Sequence, residues 1–178
     1  DKELIKALSL LIFCSPLWEK VLRNIRKNLL LNYSESKQVK ENILNFTIAL
    51  GSQCFLNEYV FYITEDEKYK LNEIKISIRN TYNQDYKLAL ISCYQSLYSI
   101  DSKIIDLNKY KSNNKAFNKL VDSQFKEIII ERKISNSIKK IGKISNFVSK
   151  KVKNQYELNP YPRWRYNTYA KEKKINFL

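Results

Sequence analysis

Ile43-Leu44-Asn45-Phe46-Thr47-Ile48-Ala49-Leu50-Gly51-Ser52-Gln53-Cys54 lies inside the longest hydrophobic segment of the chain, which runs from about Lys37 to Ile63. Ile43, Phe46, Leu50 and Cys54 recur at intervals of three and four, the spacing of one helical face rather than the alternation of a strand. Gly51 within it either admits a close neighbour or marks a kink. A helix this apolar needs others around it, and the same period extends in both directions. Upstream, a first helix covers about Lys2 to Phe13, with Leu4, Ile5, Leu8, Leu11 and Ile12 on one side. Ser15-Pro16 then supplies a hydroxyl cap followed by proline at the first helical position, where its missing N–H costs nothing. The second helix carries Trp18, Val21, Leu22, Ile25 and Leu29 as its stripe, with Arg23, Arg26 and Lys27 on the outer side. Asn32 to Ser36 reads as a loop.

Downstream, Thr64-Glu65-Asp66-Glu67 has the form of a capping box with an acidic first turn. The helix it opens runs to about Asn80, with Leu71, Ile74 and Ile78 inside. Asn83-Gln84-Asp85 starts another, with Leu88, Ala89, Ile91, Cys93 and Leu97 apolar. The stretch from Ser99 to Lys115 is irregular. The helical pattern returns from Ala116 to Arg132.

Two glycines and three prolines in 178 residues leave almost no vocabulary for hairpins. The reading is all-α: a single bundle of about seven or eight helices over residues 1–158, then an extended proline-containing segment over 159–178. The longest apolar stretch, Leu8 to Cys14, is broken by Ser15-Pro16 and is too short to span a bilayer, so a cytoplasmic protein without membrane contact is expected. Cys14, Cys54 and Cys93 are widely spaced within apolar helical segments and read as small buried hydrophobes, not as a metal site or disulfide frame. There is no histidine, the commonest general base and metal ligand near neutral pH. There is no methionine either, and the opening on Asp1 reads as a piece of something longer or as the product of processing.

The net charge of +14 is uneven. From Arg132 to Leu178 the chain has 13 Lys and Arg against 2 Asp and Glu, whereas residues 1–131 carry 19 against 16. A basic C-terminal third suits phosphate or an acidic partner. An AT-rich coding sequence, which favours Lys, Asn, Ile and Tyr, produces the same excess without selection. Ile134, Ile138, Ile141, Ile144, Val148, Val152 and Tyr156 fall on one side of a helical wheel, with lysines toward the other. Such a stripe fits an anionic surface or nucleic acid, but more commonly forms part of the domain's own core.

Two stretches stand out as candidate sites. Asn57, Glu58 and Tyr59 put a carboxylate among aromatics and aliphatics, either as a functional acid or as the polar side of a helix that surfaces there. At the other end, Pro160 and Pro162 stop a helix at about Leu158 or Asn159 and stiffen the backbone beyond it. Asn159, Tyr161, Arg163 and Trp164 then belong to a rigid ribbon that reads as a docking element or as a helix stop covering the core. No glycine-rich cofactor loop, Walker sequence or histidine-based constellation is present, so no catalytic residue or metal ligand is assigned.

Gln155-Tyr156-Glu157-Leu158-Asn159-Pro160-Tyr161-Pro162-Arg163-Trp164 resembles the Gln-Tyr-Glu-Glu-Asn-Pro-Tyr-Pro-Arg-Trp stretch of bacterial class I S-adenosylmethionine-dependent methyltransferases, many of which carry tetratricopeptide repeats. Gln53-Cys54-Phe55-Leu56-Asn57-Glu58-Tyr59-Val60-Phe61 is similar to a Gln-Cys-Phe-x-Asn-Glu-Tyr-Val-Phe stretch in the helical region of the same family. Order and separation also agree. The chain departs at Leu158, where the family usually has Glu, shows no tetratricopeptide period, and lacks the Rossmann-like catalytic domain with its cofactor loop. The resemblance implies a non-catalytic helical accessory domain whose parent binds S-adenosylmethionine, the segment itself binding no cofactor. Asn159, Tyr161, Arg163 and Trp164 would dock on the following methyltransferase domain, with Asn57, Glu58 and Tyr59 as a second patch. The alternative is a basic all-α module for nucleic acid or a protein partner.

Overall fold

A computed structural model describes residues 1–13, 15–79, 82–139 and 146–158, the last four as backbone alone. It is all-α, with no strand among the described residues. In order come α1 (Lys2–Leu10), α2 (Pro16–Leu31), α3 (Glu41–Leu56), α4 (Glu65–Ser77), α5 (Gln84–Ser92), a 3-10 turn (Leu97–Ser99), α6 (Lys115–Val121), a π-helical turn (Asp122–Lys126), α7 (Glu127–Ser137) and α8 (Phe147–Leu158). The π turn joins α6 to α7 without a break, so these eight helices make seven rods.

The helix starts follow their local chemistry. The side chain of Asp1 accepts from the N–H groups of Glu3 and Leu4, and that of Asn114 from Ala116 and Phe117, each satisfying donors that a helix leaves unpaired. Pro16 occupies the first turn of α2. Thr64 and Glu67 form the full reciprocal capping box at α4.

α3 is the central rod, packed on α5 and α1 and more lightly on α6 and α2; α4 closes against α2 and α5. Nine of its residues are buried. Gly51 sits where α3 meets α5, and a Cβ there would collide with the Ser92 hydroxyl. Of the two readings of this glycine, close approach is the one observed. The core gathers Leu8, Leu22, Leu30, Leu50, Ile74, Ile78, Leu88, Ile91, Leu97 and Phe117. Cys54 and Cys93 are free and buried within it, as small hydrophobes; Cys14 lies outside the described residues.

Several boundaries differ from the sequence reading. α1 ends at Leu10 and α3 at Leu56, not at Phe13 and Ile63. α2 is rotated: Trp18 and Val21 are more than a third exposed, and Arg26, expected outside, is fully buried between Leu22 and Leu30. The largest difference is at the C-terminal end. The stripe expected to join the core is uncovered, with Ile134 53 %, Ile138 62 %, Val148 66 % and Val152 45 % exposed.

Candidate functional site

Arg26 lies four residues from Leu22 and four from Leu30, so α2 turns it inward with them. A buried guanidinium survives only if its charge and donors are met. Its Nη2 donates to the Tyr62 carbonyl at 2.7 Å and to Glu67 Oε1 at 3.5 Å, and Nη1 donates to the Cys93 carbonyl at 3.5 Å. The guanidinium carbon lies 4.1 Å from the ring centroid of Tyr94 and 5.6 Å from that of Phe61, so π faces supply further stabilisation. Nε has no partner.

Glu67 completes the knot. One carboxylate oxygen accepts from the Thr64 N–H at 2.8 Å and the Thr64 hydroxyl at 2.9 Å; the other accepts from the Tyr94 hydroxyl at 2.8 Å and faces Arg26. Burial pushes this carboxyl up, but the hydrogen bonds from Thr64 and Tyr94 and the Arg26 charge outweigh it, leaving the group below its ordinary value. The knot ties α2, α4 and the ends of α3 and α5 together with every strong acceptor already occupied. With Arg26 and Glu67 each 1 % exposed, it is a lock of the fold and not a place for a ligand. A second buried cation, Lys87, donates to the Ser77 carbonyl at 2.9 Å and pairs with Glu35, whose carboxyl is lowered by the hydrogen bonds from Lys87 and Ser77.

Asn57, Glu58 and Tyr59 form the C-terminal cap of α3. The Tyr59 N–H donates to the Cys54 carbonyl at 2.9 Å and the Glu58 N–H to the Phe55 carbonyl at 3.1 Å, the paired bonds of a Schellman motif. Such a cap requires left-handed backbone, and Glu58 (φ 50°) and Tyr59 (φ 57°) adopt it without glycine. Asn57 is buried with its Oδ1 unpartnered. The Gln53 amide, oriented so that its nitrogen meets the carbonyls of Leu8 and Leu11, accepts from the Phe13 N–H and from Asn57, fastening the end of α1 to the end of α3. Phe61 faces inward onto Arg26, while Val60 and Tyr62 are more than half exposed. Glu58 is half-buried. The Gln53–Phe61 stretch thus builds a corner that turns α3 toward the arginine knot and leaves Val60 and Tyr62 outside.

Asn159, Tyr161, Arg163 and Trp164 lie outside the described residues, as does the extended segment 159–178. Leading to them is an arm with an uncovered apolar face. On α7, Ile130 and Ile134 line one side, with Ile138 one step beyond. On α8, Val148 and Val152 share a face, and Lys151 lies 4.6 Å from the Phe147 ring centroid. Sequence reasoning found this stripe and misassigned what covers it. It missed Arg26 and Glu67, for which one signal existed: Arg26 occupies the same helical face as Leu22 and Leu30.

Comparisons with protein-family models, with curated proteins and with solved structures find no match for this chain. Among the described residues, no helix is long and apolar enough to cross a membrane.

Proposed function

We propose that the chain is a non-catalytic helical accessory domain that docks, through its basic C-terminal arm, onto the Rossmann-like domain of a class I S-adenosylmethionine-dependent methyltransferase. The observation that carries the docking role is the uncovered stripe of Ile130, Ile134, Ile138, Val148 and Val152 along α7 and α8. Apolar side chains repeated along helices in water mark a surface that something else covers. The identity of the partner rests on the resemblance of Gln53–Phe61 and Gln155–Trp164 to that family. In this reading Asn159, Tyr161, Arg163 and Trp164 follow α8 to the partner, where Arg163 pairs with a carboxylate and the two rings supply apolar contact. S-adenosylmethionine is bound by the partner domain.

The test is made in a polypeptide carrying both domains. Arg163→Ala with Trp164→Ala is expected to weaken cofactor binding and turnover by tenfold or more, taken as about 1.4 kcal/mol. Wild-type binding, turnover and stability in the double variant would remove the docking role. A second reading is favoured by one observation, the 13 basic residues against 2 acidic from Arg132 onward. Binding of single-stranded RNA whose affinity falls steeply between 50 mM and 200 mM salt would move the function to nucleic acid.

A further inference from the structure

Every residue of α7 from Ile130 to Ser137 is exposed, so little except its base can set the direction in which this helix leaves the body. That base is the π turn, in which the Glu127 N–H donates five residues back to the Asp122 carbonyl. Kinks in long helices fall at such turns, which makes this one the natural bending point of the rod formed by α6 and α7. An arm that is to present one face to a partner therefore needs its joint braced.

Within the joint, Gln124 is fully buried, and its Nε2 donates to the Gly51 carbonyl at 2.9 Å and the Ser92 carbonyl at 3.3 Å. It is thus pinned where the missing Cβ of Gly51 lets α3 meet α5. The 3-10 turn holds the same joint from the side, through three consecutive residues. The Ser96 hydroxyl donates to the Gln124 carbonyl at 2.8 Å, and the Leu97 N–H donates to Gln124 Oε1 at 3.3 Å. The Tyr98 ring lies 6.2 Å from that of Phe125, between centroids, and carries Arg132 on its face with the guanidinium carbon 4.4 Å from the centroid. Arg132 Nη1 also donates to the Tyr98 hydroxyl at 3.4 Å. Ile128 packs in the first turn of α7. Arg132 lies a further turn out, about 9 Å along the helix from Lys126, which gives its grip a lever arm.

We infer that Arg132 is a positioning residue: its stack on Tyr98, with Gln124 pinned at the joint, holds α7 at one angle to the body and presents the Ile130 and Ile134 face already aimed. A preorganised arm avoids the ordering cost that a loose one meets on binding. Arginine suits the role because its planar guanidinium lies flat on a ring, whereas a lysine ammonium is a point charge on a flexible stem. The inference concerns the aim of the arm and not what covers it, so it stands or falls separately from the identity of the partner.

Pulsed electron–electron double resonance on the full chain tests it, with nitroxides on Ile76→Cys in α4 and Ser135→Cys in α7, both exposed positions. Cys14 is replaced by Ser, and Cys54 and Cys93 are buried. With Arg132 in place, one narrow distance distribution is expected. Arg132→Gln is expected to widen it about twofold or more while the melting temperature stays unchanged, because the substituted side chain is exposed. Tyr98→Phe, which keeps the ring face, is expected to leave it narrow. A broad distribution with Arg132 present, a narrow one in Arg132→Gln, or a Tyr98→Phe distribution as wide as that of Arg132→Gln overturns the inference. So does widening that comes with a lowered melting temperature, since the body and not the arm has then loosened.

Discussion

Arg26 shows how much a single side chain can organise. Its two nitrogens and flat face meet groups 35 to 68 residues away in the chain, so none of its partners was visible from its neighbours in sequence. Its position on the Leu22–Leu30 face was visible, yet a cation is read as solvent-facing unless a partner is known. Once it is buried, the penalty for breaking the pair is set by the charge left behind. Arg26→Ala is expected to destabilise the fold by about 3–5 kcal/mol, because Glu67 is then a buried carboxylate without its counter-ion; urea unfolding measures the loss. The same pair sets the acid limb of stability. Glu67 titrates below its ordinary value of 4.5 in the folded chain, so its contribution is complete above that pH and is lost as pH falls through the lowered value. Melting temperatures from pH 7 to pH 3 are expected to fall less steeply in Glu67→Gln, from a lower starting point. An acid limb as steep as that of the wild type would show that Glu67 is not the titrating group.

At the scale of elements, the helix starts were legible and several ends were not. Thr64–Glu67 announces the start of α4 through side chains that cap their own backbone, and Ser15-Pro16 that of α2 through the proline ring alone, since the Ser15 hydroxyl makes none of the capping hydrogen bonds expected of it. The end of α3 lacks the usual mark. Its Schellman cap places Glu58 where glycine is the common choice, so a helix continuing to Ile63 was the natural expectation. The left-handed backbone at Glu58 costs roughly 1 kcal/mol that glycine would not incur. Glu58→Gly is therefore expected to raise stability by up to about that amount in urea unfolding, and Glu58→Val, with its branched Cβ, to lower it. A destabilised glycine variant would mean that the Glu58 side chain contributes more than its backbone costs. Gly51 illustrates the complementary case: its presence in an apolar helix was read as close approach or kink, and only the position of Ser92 decides between them.

For the whole molecule, the all-α class was legible because helical period is a local property and the scarcity of glycine and proline excludes most alternatives. What covers a given face is not local. The Ile134–Val152 stripe has the periodicity of a core helix, and the same signal is produced whether the covering surface lies in this chain or in another. The described part of that face is exposed, which turns a feature first assigned to the core into the arm of the proposed docking site. The central proposal is that a methyltransferase domain covers this arm. Hydrogen exchange of residues 127–158, measured with and without the separately expressed Rossmann-like domain, tests it most directly. The prediction is that α7 and α8 become protected on mixing, and that Ile134→Ser with Val148→Ser abolishes the protection while leaving exchange in α3 and α5 unchanged. Equal exchange in the arm with and without the domain would contradict it.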